Sequence, residues 1–327
     1  MLRQEINPRG KAVKVESDVL RKNGGKFRKH LKEVSRDKYL YLLALPGILY
    51  FIIFKYVPMY GILIAFQDFS PYLGFSGSSW VGWEHFQRLF TEDDFWQMLR
   101  NTLAISFLNI AMFFPLPIIL SILLNELSNQ YYKRTIQSLV YLPHFLSWVI
   151  IASLTLMLFG KSEGIINYFL NELGFGTVDF LTNPSTFWFL LTGQSIWKEI
   201  GWGTIIFLAA IAGVNTELYE AARIDGANRF RQIWHVTLPT IRNVIVILLI
   251  LRLGDVLEVG FEQVFLMYNG AVSDVAEIFD TYVYRVGIQQ GQFSYSTAVG
   301  LFKSFVGLVL VVIANRLVKR FGEEGLY

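Results

Sequence analysis

Long apolar runs alternate with polar, turn-rich stretches along this chain. A helix crossing the hydrocarbon core of a bilayer needs about 20 largely apolar residues. Six segments meet or nearly meet that demand: 39 to 62, 100 to 125, 136 to 159, 187 to 213, 241 to 267 and 295 to 317. The second and third run without a charged interruption, whereas the others carry isolated ionisable residues. The pattern predicts an all-α membrane protein with six transmembrane helices. Pro46, Pro58, Pro115, Pro117 and Pro143 lie in or beside the first three spans. Breaks there are tolerated when neighbours re-satisfy the freed backbone, and both a hinge role and a fixed kink fit them.

Composition agrees with the pattern. Of 327 residues, 53% are hydrophobic and 16% aromatic, and the mean hydropathy of +0.41 is too high for a water-soluble domain of this length. The absence of cysteine excludes a disulfide framework and a thiolate metal site. His30, His85, His144 and His235 lie far apart without ligand spacing, so no metal site is expected from them.

Charge gives the orientation. Residues 1–38 form a basic tail with Arg3, Arg9, Lys11, Lys14, Arg21 and others, and it has no apolar core of the kind a cleaved signal carries. The first membrane helix then acts as an uncleaved targeting signal. A basic run next to a span binds anionic membrane lipid; the competing reading, a nucleic-acid arm, is set aside and no nucleic-acid partner is expected. With the amino terminus inside, Lys133, Arg134, Arg223, Arg229, Arg231, Arg242, Arg316, Lys319 and Arg320 fall on the same side as the tail. The opposite connections hold only Arg88, Lys161 and Arg285. By the positive-inside rule both termini are cytoplasmic. The division is a tail at 1–38, a permeation domain at 39–318, and a C-terminal tail at 319–327. The outer connections, near 63–99, 160–186 and 268–294, carry aromatics such as Trp80, Trp83 and Trp96. A docking surface and an interfacial aromatic belt both account for these.

The polar stretch 215–240 lies between the fourth and fifth segments. Asn215 or Thr216 can cap a helix whose first turn carries Glu217. Gly226 can end it in a left-handed conformation, so two short helices should meet there. Ala221 and Ala222 keep one side slim enough to enter a partner's groove, while Glu220, Arg223 and Asp225 offer polar contacts. The next piece, Asn228 to His235, should turn Phe230, Ile233 and Trp234 to the membrane or the protein body. Pro239 falls in the first turn of the following span.

Glu220-Ala221-Ala222, Gly226 and the later Leu238-Pro239 resemble the motif of permease subunits of binding-protein-dependent ABC importers, and Asp225-Gly226-Ala227 is similar to its sugar-importing branch. Tyr56 to Gly61, Trp197 to Trp202, Val259 to Val264 and Asp280 to Arg285 look like the permeases for oligosaccharides and polysaccharide fragments. The resemblance implies a type I ABC importer permease fold in the bacterial plasma (inner) membrane. It further implies a second homologous permease, a cytoplasmic ATPase dimer using ATP and Mg, and an external or periplasmic sugar-binding protein. No cofactor is expected on this chain. By the resemblance, Glu220, Ala221, Ala222, Arg223, Asp225, Gly226 and Ala227 form the coupling helix seated on the ATPase.

Charges inside spans form a second constellation. Lys198 and Glu199 interrupt the fourth segment; Arg252, Asp255, Glu258 and Glu262 punctuate the fifth. Such charges are costly unless they face protein or water. On a continuous helix, Arg252, Asp255, Val259 and Glu262 would share one side, facing a wet interior. Ion pairing with a second permease and direct contact with substrate both explain them. Saccharides are held by aromatic faces and planar polar groups, and Trp197, Trp202, Phe261, Glu262, Gln263 and Tyr268 supply both chemistries. Lys303 in the sixth segment is a candidate for the same path, whereas Lys55 snorkels. The cations Lys198, Arg252 and Lys303 would suit an acidic saccharide, but Glu199, Asp255, Glu258 and Glu262 offset them, so charge counting does not choose the sugar.

Gly160-Lys161-Ser162 looks like the end of a phosphate-binding loop, but Thr155 stands where the first glycine belongs. Energy must come from another polypeptide or an ion gradient. The expectation is an oligosaccharide permease, not an enzyme, working by alternating access under a separate ATPase. An ion-coupled secondary sugar transporter is the alternative, and it would need more spans and inverted repeats. A membrane-embedded glycosyl transferase would need a clustered carboxylate pair at a membrane face, which the chain lacks.

Overall fold

The computed structural model describes residues 38–320. The basic tail, apart from Lys38, and the C-terminal tail beyond Arg320 lie outside the described residues. Among the described residues five helices are long and apolar enough to cross a membrane, and a helix pair bent by 103° supplies a sixth if taken as one broken span.

One unit of the chain runs to Ile62 and a second begins at Leu63. In the first, α1 (Lys38–Phe51) passes into a π turn at Ile52–Tyr56, just ahead of Pro58. A proline has no N–H to donate and its ring crowds the preceding turn, and widening that turn absorbs the mismatch. Leu40, Leu43, Ile53 and Phe54 are all exposed. A helix apolar all round has lipid as its solvent.

The second unit opens with a short hairpin. Strand β1 (Gln67–Asp68) pairs antiparallel with β2 (Ser79–Trp80), Gln67 opposite Trp80. After α2 (Glu84–Thr91), Glu92 leads into α3 (Asp93–Leu108), whose first turn carries Asp93 and Asp94 at the positive end of the helix dipole. A π turn at Asn109–Phe113 joins α3 to α4 (Pro115–Glu126). The second span therefore starts ahead of Arg100, and Pro115 and Pro117 account for its irregular middle.

The third span differs from the unbroken helix expected over 136–159. Helix α5 (Gln130–Tyr141), capped by Asn129, ends in a 3-10 turn at Leu142–Phe145, and α6 (Trp148–Phe159) leaves at 103°. Pro143 cannot continue the hydrogen-bond ladder, and the Ser147 hydroxyl accepts from the Ile150 N–H to restart it.

Helix α7 (Ile165–Glu172) precedes the long α8 (Pro184–Ala212), which starts at an Asn183 cap with Pro184 in its first turn. Gly201 lets α8 touch the broken span: a Cβ there would lie 2.2 Å from the carbonyl oxygen of Val140. Close backbone approach through small residues is how membrane helices gain packing without a hydrophobic drive.

The fifth segment also departs from expectation. Its helical run starts at Arg229, passes a π turn at Ile233–Thr237, and continues as α11 (Leu238–Gly254), so Pro239 sits just after the widened turn. It ends at Gly254 rather than reaching 267. Asp255 to Gly260 leave the helix, Gly260 takes φ +94°, and α12 (Phe261–Met267) begins afresh. Arg252, Asp255, Val259 and Glu262 therefore do not line one side of a continuous helix. Helix α13 (Phe279–Val283) leads to the last span, α14 (Phe293–Arg320).

Among the described residues, buried apolar side chains gather in three clusters: one around Phe187, Leu191, Val264 and Ile278, one around Leu89, Phe95, Phe279 and Tyr295, and a small one of Ile211, Val214 and Ile241. The last lies beneath the loop between α8 and α11, with Tyr219 packed against it.

Candidate functional site

The loop between α8 and α11 is built by its own sequence. Helix α9 (Thr216–Ile224) starts where the Asn215 side chain accepts from the Glu217 N–H at 3.0 Å. It ends as Gly226, at φ +76°, donates to the Arg223 carbonyl and Ala227 donates to the Ala222 carbonyl at 2.8 Å. This bond pair with a left-handed glycine closes the last carbonyls of a helix. Asn228 then caps α10 (Arg229–Gln232). Two short helices meet at Gly226, as the sequence predicts.

One contact braces this helix pair internally and two fix it to its surroundings. The Tyr219 and Thr237 hydroxyls lie 2.9 Å apart, Gln232 donates to the Ala227 carbonyl at 2.8 Å, and Arg229 pairs with Glu126 at the end of α4 at 2.6 Å. A 450 Å³ groove is lined by Glu126, Tyr219, Glu220, Arg223 and Arg229 among others. Glu220, Ala221, Arg223, Asp225 and Gly226 are exposed, and Ala222 and Ala227 half-buried. Ile224 is 87% exposed and Leu218 is also open. The sequence reading missed these two exposed apolar side chains, of which Ile224 lies within the motif and Leu218 just ahead of it. Phe230 and Trp234 are exposed as well, with Ile233 half-buried between them.

The in-span residues divide into several groups. Lys198 is 7% exposed, and its ammonium donates to the carbonyls of His144 and Leu146 at 2.7 and 2.6 Å. Those carbonyls lie at the break in the third span, so a cation from α8 meets acceptors at the point where the helix is interrupted. Glu199 accepts from or pairs with His144 Nδ1 at 2.7 Å, and the imidazole stacks flat on Trp202 at 4.4 Å between ring centres. His144 thus belongs with Glu199 and Trp202, a grouping across 55 residues that no local pattern signals. Trp197 instead lines an apolar groove of 560 Å³ between α6 and α8, with Leu154, Phe159 and Phe189.

Gln263, 3% exposed, donates to the Leu191 carbonyl at 2.7 Å and to Gln194 at 2.9 Å, and accepts from Ser195 at 3.1 Å. Gln194 donates onward to Thr155 at 2.7 Å. This buried network ties α6, α8 and α12 together. Phe261 stacks with Phe265 at 5.2 Å and meets Tyr284, while Glu262 and Tyr268 are exposed on either side. Lys303 bonds Asp280 and lies 3.7 Å from Glu258. Arg252 and Asp255 line a recess at the end of α11 with Ser106 and Glu258.

A model of the family described as binding-protein-dependent transport system inner membrane component matches residues 114–323. The chain belongs to that family. It is 54% identical over 97% of its length to the polygalacturonan/rhamnogalacturonan transport system permease protein YteP of Bacillus subtilis (strain 168), covering 98% of that protein. Protein LplB of the same organism is also 54% identical, over 93% of this chain and 95% of that protein. Among solved structures, a chain of a bacterial alginate ABC transporter in complex with alginate pentasaccharide-bound periplasmic protein superposes with TM-score 0.82 at 40% identity, covering 90% of this chain and 99% of that one. The predominantly helical fold is that of an ABC importer permease, and the molecule is a multi-pass inner-membrane permease of the sugar importers.

One further cluster in this permease escaped the sequence reading. Glu92 accepts from the Tyr295 hydroxyl at 2.7 Å, the Tyr282 hydroxyl at 2.8 Å and Arg88 at 2.7 Å, and Arg88 lies over the Tyr295 ring at 4.0 Å. Burial pushes the Glu92 carboxyl up, but these bonds outweigh it and hold it below the usual carboxylate range. Burial likewise pushes the Tyr282 phenol up to about 12, with Glu92 adding to the effect. The cluster joins α2, α13 and α14 at one end of the spans. Tyr282 and Tyr295 lie 190 and 203 residues from Glu92, so only the fold brings them to it.

Proposed function

We propose that this permease carries fragments of acidic polysaccharides into the cytoplasm, powered by a separate ATPase that uses ATP and Mg. The observation that carries the reading is the α9 hook. It is capped at both ends and pinned to α4 by Arg229, and it presents Glu220, Arg223, Ile224 and Asp225 outward. A rigid, exposed helix with mixed apolar and charged contacts suits a groove on a soluble partner. Residues 220 to 227 couple the permease to that partner.

The lysine and arginine distribution supports a cytoplasmic position for this loop and both termini. A second homologous permease completes the translocation path, an ATPase dimer grips the two coupling helices, and a sugar-binding protein delivers the oligosaccharide from outside. ATP draws the ATPase pair together, and the coupling helices transmit that movement to the spans. The cavity alternates between outward and inward states, each favoured by different contacts. Trp197, Lys198, Glu199, Trp202, Arg252, Asp255, Phe261, Glu262, Gln263, Tyr268 and Lys303 border or brace the path, Lys198 and Gln263 by holding breaks and helices in position. The chain itself binds no cofactor.

The acidic-saccharide reading is supported by the relatives, whose names specify polygalacturonan, rhamnogalacturonan and alginate. Uptake of an oligogalacturonide by proteoliposomes holding the permease pair, the ATPase and the binding protein tests it. ATP-dependent accumulation is expected. Accumulation driven by a proton or sodium gradient without ATP would contradict it.

A further inference from the structure

Sugar transport leaves the apolar groove between α6 and α8 unexplained. It encloses 560 Å³, and Leu154, Leu158, Phe159, Phe189 and Trp197 supply much of its wall. Its polar side chains are already bonded. Gln194 donates to Thr155 at 2.7 Å and accepts from Gln263 at 2.9 Å, Thr155 donates to the Ile151 carbonyl at 2.8 Å, and Thr186 donates to the Asn183 carbonyl at 3.2 Å. A hydroxylated ligand would lose its hydrogen bonds to water and gain none here. The groove suits an apolar occupant.

Its position and size narrow the choice. Gly193 in the groove and Trp202 lie about two and a half turns apart on α8, so they stand on opposite sides of that helix. Trp202 stacks on His144, which bonds Glu199, so the groove faces away from this polar cluster. Along α6 the lining runs from Ile151 to Phe159, and along α8 from Thr186 to Trp197. At 1.5 Å per residue these stretches are about 12 and 16 Å long, against roughly 15 Å for half the hydrocarbon core of a bilayer. The groove is one leaflet deep.

The end at Phe159 and Phe180 lies at the membrane interface. Just beyond it Lys161 pairs with Asp179 at 3.4 Å, and α7 exposes Ile165, Tyr168, Phe169 and Leu173. Asn167, 2% exposed, donates to the carbonyls of Gly160 and Val178 at 2.9 and 3.0 Å and so fixes α7 at this level. Exposed aromatics beside charges mark the headgroup region. On the orientation proposed above, this is the outer leaflet. A helix is about 10–12 Å wide with its side chains and would lie over such a groove, whereas a single file of methylenes fits inside it.

We infer that the groove between α6 and α8 binds one acyl chain of an outer-leaflet phospholipid. The inference goes beyond the import reading and does not depend on which sugar is carried. The acyl chain fills the space that Gly193 leaves open: among the described residues nothing lies within 4 Å of the place a Cβ would take there. It restores the dispersion contacts that bare groove walls would lack.

The test uses the assembled transporter in vesicles of phosphatidylethanolamine and phosphatidylglycerol, with a phosphatidylglycerol bearing a diazirine midway along one acyl chain as the probe. After illumination, peptide mass spectrometry reads the labelled residues. Labelling of Leu154, Leu158 and Phe189 is expected roughly tenfold above that of Leu308 on the exposed face of α14, because the groove adds on the order of ten carbon contacts to those of an open surface. Gly193→Phe fills the groove and lowers its labelling to the Leu308 level, while Gly193→Ala retains it. If Gly193→Phe does not assemble, Gly193→Leu takes its place. Equal labelling of the groove and Leu308 in the unaltered protein overturns the inference, since the groove then meets only passing lipid. Label at Leu308 with none in the groove also overturns it, and shows that a protein segment such as a helix of a second permease covers the site. Undiminished groove labelling in the filled variant does the same. ATP-driven oligosaccharide uptake by the same vesicles reads the import function separately, so either reading can fail alone.

Discussion

The loop between α8 and α11 and the charged middle of the spans solve opposite problems. In the loop, each polar end of a short helix is closed by a neighbour within a few residues: Asn215 at the start, Gly226 and Ala227 at the end, Asn228 for the next helix. Its outward groups Glu220, Arg223 and Asp225 are exposed. In the spans, carbonyls at or near the breaks are met by residues distant in sequence. Lys198 serves His144 and Leu146, and Gln263 serves Leu191 and Gln194. Polar residues in the loop are therefore available for contact, whereas most of those in the spans are already occupied in holding the fold.

The largest expected effect is in the loop. Glu220→Lys or Gly226→Val leaves the subunit inserted but abolishes uptake and stimulated ATP hydrolysis, since a Cβ-branched residue resists φ +76° and the reversed charge alters the groove that Glu220 lines with Glu126, Arg223 and Arg229. Normal transport by both variants would remove the distinction between the regions. Next comes Lys198→Met, which leaves two carbonyls at the span break without a donor and costs about 2–4 kcal/mol. Thermal unfolding of the purified complex in detergent should show the lowered stability, and an unchanged midpoint would mean that the break holds itself. Gln263→Leu removes the hub of the buried network and costs about 1–3 kcal/mol, read by the same unfolding midpoint with ATPase co-purification preserved. Asn215→Ala is the mildest, about 1 kcal/mol from the lost cap. It should lower coupling efficiency, measured as sugar moved per ATP hydrolysed, before it lowers stability.

The same contrast explains what the sequence could disclose. The loop was legible because its caps, its glycine and its motif are contiguous, and the structure has two short helices where they were expected. The number of spans was legible too, since about 20 apolar residues are needed whatever they pack against. The interruptions were not. Residues 136–159 read as one apolar helix, because the Lys198 ammonium that meets the carbonyls at the 103° break comes from far away in sequence. The run 241–267 read as continuous although Gly254 and Gly260 bracket the actual gap; weighing those two glycines together would have found it. The face supposed to unite Arg252, Asp255, Val259 and Glu262 disappeared with that helix. Glu92 gave no signal, since its tyrosine partners come from α13 and α14. His144 looked like an isolated histidine, and only the bend delivers it to Glu199 and Trp202.

A single added cysteine gives the most direct test of coupling through α9, because the chain has none of its own. Asp225→Cys is exposed at the tip of the loop and can be labelled with a membrane-impermeant maleimide. Labelling is predicted in inverted vesicles stripped of the ATPase, not in intact cells, and should be blocked when the ATPase is added back. Labelling from outside intact cells, or labelling indifferent to the ATPase, would contradict the account.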